Sequence, residues 1–435
     1  MQISNDLLPW LVYGVPVVVV LFLYWRNHRA RSETHEELLL ESVAAGLTEP
    51  PSLHPVVDLG LCIGSGACVK ACPEEALGVV NGKATLVGAA HCIGHGACFP
   101  ACPVEAIKLV FGTEKRGVDI PVVKPNFESN VPGIFIAGEL GGMGLIRKAA
   151  EQGRQAVAAA RASMNGSAEY DMVIVGAGPA GIAAGLAAVE AKLRYKILEQ
   201  EDSLGGAVYH YPRNKIAMTA PVVLPIIGKV KMTEVSKEEL LEFWNGVVAK
   251  TGLQVSFRER MESVDREGDA FVVRSQKGSY RAKTVLLAIG RRGTPRKLGV
   301  TGEDTPKVVY RLIDPEQYKG QRVLVVGGGD SALEAAVAIS TQKGARVTIS
   351  YRSEAFSRVK EKNRIALKNA EASGRLRVLL QSTVSSIEPD KVNMKYKEES
   401  VGIRNDTVIV CAGGELPTPL LKKIGVMFET HHGEV

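Results

Sequence analysis

Two residue types carry the chemistry in this 435-residue chain: cysteine and glycine. Six of the seven cysteines, Cys62, Cys68, Cys72, Cys92, Cys98 and Cys102, lie in one short stretch, while Cys411 stands apart. Clustering of this kind means a disulfide framework or a metal site. Residues 62–73 read CIGSGACVKACP and residues 92–103 read CIGHGACFPACP, so nine of twelve positions repeat at a period of 30. Ser65 and His95 occupy the same position in the two copies. The glycines make two further turns. In DMVIVGAGPAGIAAG a β-run leads into Gly176-x-Gly178-x-x-Gly181, with Pro179 and Ala180 inside the turn. The first glycine makes the turn, the second admits a pyrophosphate and the third lets the helix pack on the strand. The next strand, YKILEQ, carries Glu199 near its end, where an acid can hold both ribose hydroxyls. A second copy, Gly327-x-Gly329-x-x-Ala332, encloses Asp330 and Ser331. Its following strand, ARVTISYR, ends in Arg352, with Arg358 close behind. Arginine there accommodates a 2′-phosphate, so NADP is expected ahead of NAD. A solvated basic face is the alternative, since Lys360, Lys362 and Arg364 continue the run.

The elements that must hold these residues begin with an apolar run. Residues 7–25, LLPWLVYGVPVVVVLFLYW, carry no charge and approach the ~20 residues of a spanning helix. Asp6 precedes the run and RNHRAR follows it, the reverse of a signal peptide. The run is expected to be a retained single-pass anchor in the cytoplasmic membrane. The basic flank then puts the catalytic domains on the cytoplasmic side. A reducing compartment disfavours disulfides, which makes the cysteine cluster a metal site. Residues 26–55 are expected to be a linker of one short helix and a Pro-rich tether. A net charge of +6, from 53 Lys and Arg against 47 Asp and Glu, implies no nucleic-acid partner. With 46% hydrophobic and 23% charged residues the chain is not disordered, fibrous or polytopic.

The cysteine repeat resembles the bacterial two-cluster ferredoxins, whose motif is C-x2-C-x2-C-x3-C-P. The resemblance covers residues 56–112 and implies a small α+β domain with two iron–sulfur clusters. In that family the cysteine before proline ligates the other cluster. The implied triads are Cys62, Cys68 and Cys102 for one cluster, and Cys92, Cys98 and Cys72 for the other. Ser65 and His95 replace the second cysteine of each motif. Each cluster is then [3Fe–4S], or [4Fe–4S] with Ser65 or His95 as a non-cysteine fourth ligand. A decayed, iron-free fold and a zinc site are the alternatives, although zinc spacings come as CxxC pairs and none is present.

The two glycine turns, with VLLAIGRRG between them and VIVCAGG after, resemble the thioredoxin-reductase-like flavoproteins over residues 118–435. This implies α/β architecture with two Rossmann-like domains: an FAD domain at 170–300, an NAD(P) domain at 301–412 and a return segment at 413–435. The implied FAD contacts include Gly205, Gly206 and Gly290. The family's closing motif resembles VPGIFAAGD; here VPGIFIAGE stands at 131–139, upstream of the first turn. Segment 118–165 is therefore expected to be a circularly permuted end of the FAD domain. Gly138 and Glu139 would meet the flavin, as would a helix starting near Met143. The CxxC dithiol of disulfide reductases is missing. The expected activity is electron transfer between NAD(P)H, FAD and the clusters, to or from a ferredoxin, quinone or membrane carrier, with a homodimer possible in this family. A flavin-dependent small-molecule or disulfide reductase or monooxygenase, and a non-catalytic redox subunit of a membrane complex, are the alternatives. No catalytic acid or base is needed, because the cofactors carry the reaction.

Overall fold

The computed structural model describes residues 13–44, 46–50, 53–94, 96–142, 144–211, 213, 215–291, 293–356 and 359–433. The chain forms two compact units, one built on the residues up to Gly117 and the other on Val118–Phe356 and Glu361–His431.

In the first unit, His54–Val57 pairs antiparallel with Ile107–Val110, and Leu77–Val80 with Lys83–Leu86. The second hairpin turns through Asn81 and Gly82, both at positive φ, as a tight two-residue hairpin requires. Each cysteine loop ends in one short helix, Ala67–Ala71 or Cys98–Ala101. Gly64 and Gly66 (φ 67° and 69°) match Gly94 and Gly96 (φ 74° and 72°), so the sequence repeat is also a backbone repeat. Only glycine adopts four such left-handed positions without strain.

A helix, Val15–Ala44, precedes these strands. The imidazole Nδ1 of His35 accepts the Val79 N–H at 3.0 Å, and the ring fits because Gly78 has no Cβ to meet it. No helix among the described residues is long and apolar enough to cross a membrane. This corrects the expected transmembrane anchor and the single-pass topology and localisation drawn from it. Residues 7–12 of the expected span lie outside the described residues. Of the remainder, Val15–Trp25 is the apolar start of a helix that runs unbroken through Arg26, Arg29 and Arg31. Those residues rise only ~16 Å, about half of the ~30 Å hydrocarbon thickness. The choice of metal over disulfide no longer follows from a compartment. All seven cysteines are free thiols.

In the second unit, Tyr170–Val175 lies between Tyr195–Leu198 and Ser279–Leu287, parallel to both. The antiparallel strands Ala270–Ser275 and Met261–Glu267 extend the sheet. Ile134–Ile136 pairs parallel with Val285–Leu287, in register Ile134↔Val285. Val173, Ile174, Val285, Leu286 and Leu287 are wholly buried, as a sheet covered on both faces requires. The helix Ile146–Ser163 crosses the start of helix Pro179–Glu190 so closely that a Cβ on Gly153 would lie 2.0 Å from the Ala180 carbonyl oxygen. Phe428–His431, near the end of the chain, pairs antiparallel with Val118–Pro121.

A second parallel sheet runs Val308–Val309, Thr407–Val410, Arg322–Val326, Arg346–Tyr351, Leu376–Leu380. Both sheets carry an ion-pair clamp at the ends of strands remote from their glycine turns. Asp171 takes Arg194 through both carboxylate oxygens and Lys283 at 2.9 Å, and Arg194 holds its carboxyl well below the usual range. Asp406 takes Arg322 in the same bidentate way, which lowers its pKa to about 2. The carboxyl ends of the strands, where ligands bind in such sheets, carry the glycine turns.

Candidate functional site

The two cysteine loops line separate cavities. Cys62, Cys68 and Cys102 surround one, with Ser65 on its wall. Cys72, Cys92 and Cys98 surround another. Each cavity takes two cysteines from one loop and one from the other. The crossing follows from the chain path: Cys72 and Cys102 end the short helices, and their N–H groups close the turns onto Val69 and Phe99 at 3.2 Å. Ser65 Oγ accepts the Ala67 N–H at 3.5 Å. His95 lies outside the described residues.

The donor set fits an iron–sulfur group. Burial pushes the thiols of Cys68, Cys92 and Cys98 up, the last to about 11, with neighbouring thiolates adding repulsion. Thiolates so crowded and desolvated require a cationic centre to hold them anionic. Backbone N–H groups of Ala84 and Ala106 already point at Cys62 Sγ (3.4 Å) and Cys102 Sγ (3.3 Å). Nothing in the cysteine motif signals these two donors, because an alanine N–H has no side-chain signature.

At the first glycine turn, Gly176 has φ 104°, and a Cβ on Gly181 would lie 1.8 Å from the Gly176 carbonyl oxygen. Gly178 caps helix Pro179–Glu190, leaving the first N–H groups of the helix free to face an anion. Glu199 is 5% exposed and accepts N–H groups of Ala177 (2.6 Å) and Glu201 (2.9 Å). Burial raises its pKa; the backbone donors act the other way. Each carboxylate oxygen keeps a lone pair for a ribose hydroxyl. Gly205 donates to the Ala177 carbonyl at 3.0 Å, and a Cβ on Gly206 would stand 3.2 Å from Gly178 Cα. Gly138 abuts Ala180, since its Cβ position lies 3.2 Å from the Ala180 methyl. Glu139 Oε2 lies 4.0 Å from the Cβ position of Gly290. Gly138, Glu139, Gly176, Gly178, Pro179, Ala180, Gly181, Glu199, Gly205, Gly206 and Gly290 thus gather at one end of one sheet. Gln152 was not evident from sequence; its Oε1 accepts the Gly138 N–H at 2.8 Å. The helix that carries it begins at Ile146, later than the expected start near Met143, which lies outside the described residues.

At the second turn, a Cβ on Gly327 would lie 2.3 Å from the Cys411 carbonyl oxygen, and Gly329 caps helix Asp330–Ser340. Asp330 Oδ1 accepts from Asn363 Nδ2 at 2.7 Å. The Ser331 carbonyl faces Cys411 Sγ at 3.9 Å, and desolvation pushes the half-buried Cys411 thiol up to about 12. Arg352 is exposed at the end of its strand; Arg358 lies outside the described residues.

Comparison with known proteins agrees with this geometry. Residues 173–434 match the pyridine nucleotide-disulphide oxidoreductase family, and residues 54–103 match the 4Fe-4S dicluster domain. A ferredoxin–NADP reductase of Thermus thermophilus is 31% identical over 255 residues, 56% of this chain and 72% of that protein. One from Ignicoccus hospitalis is 33% identical over 189 residues, 43% of this chain and 57% of that protein, so the chain spans little more than half its length. The bacilliredoxin reductase Bdr of Bacillus subtilis is 27% identical over 267 residues, 60% of this chain and 82% of that protein. Among solved structures, the bacillithiol disulfide reductase Bdr of Bacillus cereus shares the fold, with TM-score 0.52 at 24% identity over 59% of this chain and 82% of that one. With a 4Fe-4S dicluster domain in the same polypeptide, the chain belongs to the pyridine nucleotide-disulphide oxidoreductase family of FAD-dependent enzymes that work with NAD(P).

Proposed function

We propose that this chain moves electrons between NADPH and a one-electron carrier of ferredoxin type, through FAD and two iron–sulfur clusters. When bound, FAD exchanges two electrons with the nicotinamide and the clusters exchange one each, so the pair converts between two-electron and one-electron transfer. The turn Gly176–Gly181 with Glu199 holds the flavin nucleotide, and Gly205, Gly206 and Gly290 flank it. Gly327, Gly329, Asp330 and Ser331 hold the NADPH pyrophosphate, and Arg352 and Arg358, which follow the second strand in sequence, are the candidates for the 2′-phosphate. The first cluster is held by Cys62, Cys68 and Cys102, with Ser65 beside the remaining iron position. The second is held by Cys72, Cys92 and Cys98, and His95 stands at the matching position of the sequence repeat.

Segment 118–165 we read as the permuted end of the flavin domain. Three contacts support this: the pairing of Ile134–Ile136 with Val285–Leu287, the approach of Gly138 to Ala180, and the pairing of Phe428–His431 with Val118–Pro121. Gln152 fixes the Gly138 backbone and Glu139 lies close to Gly290, so this segment brings a carboxylate to the flavin end of the sheet.

The observation that carries the reading is the pair of three-cysteine cavities in a chain that also folds two dinucleotide turns. Anaerobic purification followed by iron, sulfide and flavin assay tests it. The expected result is one FAD and two clusters' worth of iron and acid-labile sulfide per chain, with flavin bleached by NADPH. A preparation that binds FAD but neither iron nor sulfide after anaerobic reconstitution would overturn it.

A further inference from the structure

The cysteine repeat breaks just ahead of its first cysteine. Where the first copy reads Asp58-Leu59-Gly60-Leu61, the second reads Gly88-Ala89-Ala90-His91. Ala89 and Ala90 are buried, whereas Leu59, Leu61 and Ile63 are each more than half exposed. A single exposed leucine needs no explanation, but three large apolar side chains around one cluster ligand mark an interaction surface. The turn that carries them is tied from inside. Asp58 Oδ1 accepts the N–H groups of Gly60 (2.8 Å) and Leu61 (3.2 Å), and the Cys62 N–H donates to the Asp58 carbonyl at 2.9 Å. Gly88 has no carboxylate with which to make the first two of these bonds. The turn that seats Cys62 therefore also displays the leucines. Charge is not repeated either. Lys70, exposed and the one charged residue from Leu59 to Pro73, corresponds to Pro100. Lys83, whose Nζ donates to the Cys62 carbonyl at 2.7 Å, corresponds to Thr113.

We propose that this turn is the docking surface for a small one-electron carrier protein whose own centre is an anionic iron–sulfur cluster. The inference rests on the electron-transfer reading above and names where that carrier binds. Cys62 lies between Leu61 and Ile63 in the chain, so a partner seated on their side chains comes close to a cluster ligand. Iron–sulfur groups held by thiolates are anionic. Two of them approach each other only with positive charge between them, and Lys70 and Lys83 supply it at the first loop, where the second has Pro100 and Thr113. A second molecule of this chain, seated turn to turn, would instead set the same lysines against each other. Apolar contact supplies the affinity, and the lysines speed encounter. Each NADPH oxidised to NADP+ and H+ reduces two carrier molecules by one electron each, and the reverse flow balances in the same way.

Anaerobic steady-state assay of the FAD- and cluster-loaded full chain, with a soluble two-cluster ferredoxin as probe and NADPH or NADP+ as its counterpart, tests this. The wild type should exchange electrons with the ferredoxin at a saturable rate that falls as salt rises. The double variant Leu59→Gln, Leu61→Gln should raise KM for the ferredoxin on the order of tenfold. Its kcat, its cluster EPR and the rate at which NADPH bleaches its flavin should not change. Lys70→Glu should raise the same KM at low salt and match the wild type at high salt. Should the double variant lose iron, Leu59→Gln alone, outside the cavity wall, decides by the same KM, which should still rise severalfold. A KM within twofold of wild type in the cluster-loaded Leu59 and Leu61 variant overturns the surface. A shift in its sedimentation with KM unmoved does the same, and assigns the turn to a second molecule of this chain. A Lys70→Glu effect that salt does not remove overturns the role of charge. Cluster-loaded wild type that exchanges no electrons with the ferredoxin in either direction overturns the carrier as occupant. Wild type that holds no iron overturns the function proposed above instead, and this inference with it.

Discussion

The two cysteine cavities share one loop design but not one environment. In the first, Cys62 and Cys102 accept backbone N–H groups of Ala84 and Ala106, and Lys83 Nζ holds the Cys62 carbonyl at 2.7 Å. In the second, the Cys92 thiol faces the Leu53 carbonyl at 3.7 Å, with the Gly94 backbone as its opposing donor. Glu74, paired with Lys360 at 3.2 Å, lies on the same wall. Access differs as well. Ile63 is 65% exposed beside the first cavity and Ser65 is also exposed. The second cavity is walled by Leu53, Leu77, Leu86 and Leu109, of which Leu53 and Leu77 are buried. Donors to sulfur and solvent access both bear on cluster potential. The difference predicts that, with clusters bound, the duplicated motif yields two redox sites of unequal potential, the first the easier to reduce.

The largest effect should come from the crossing itself. Cys102→Ser is expected to abolish the cluster held with Cys62 and Cys68, removing about half of the iron and leaving the other cluster and FAD in place. Cys72→Ser should do the converse. Iron assay with EPR checks both, and loss of the second-loop cluster in Cys102→Ser would break the comparison. Exposure comes next: during anaerobic treatment with a chelator, the first cluster should bleach well before the second, followed by EPR over time. Equal rates would mean that the leucine wall protects nothing. Ser65→Cys should give the first cavity a fourth thiolate. Its oxidised form should then be an EPR-silent [4Fe–4S]2+ cluster, with the second cluster's spectrum unaltered. The smallest effect is electrostatic. Ala84→Pro deletes the N–H aimed at Cys62 Sγ, worth about 1 kcal/mol, which for a one-electron couple is on the order of 40 mV. An EPR-monitored redox titration should find the first potential lowered by that amount and the second unmoved.

Much of this is legible in the sequence because it depends on local geometry. The cysteine period marks two matching loops, with the crossing of Cys72 and Cys102 implied only by the resemblance to two-cluster ferredoxins, and the glycine turns are written in spacing because Gly176, Gly181 and Gly327 leave no room for a Cβ. What stays hidden depends on tertiary contact. Gln152 meets Gly138 only because two helices cross at Gly153, and Tyr351 meets Gly328 only because two strands pair in register. The donors Ala84 and Ala106 act through backbone alone. The apolar run at 7–25 misleads in the other direction. A window of hydropathy counts side chains, but Val15–Ala44 is one helix whose apolar start is short and whose continuation is charged. Segment 118–165 was visible as a motif out of order, yet the partner of its strand, Val285–Leu287, could be named only from the sheet.

Freeze-quench EPR of the anaerobic holoprotein tests the central claim most directly. Oxidised protein is mixed with NADPH and, in parallel, reduced protein with NADP+, while flavin absorbance is followed on the same timescale. Electron transfer through the whole chain requires a cluster signal to change after the flavin responds, in at least one direction and within a turnover. Flavin that responds in both experiments while both cluster signals stay constant would contradict it.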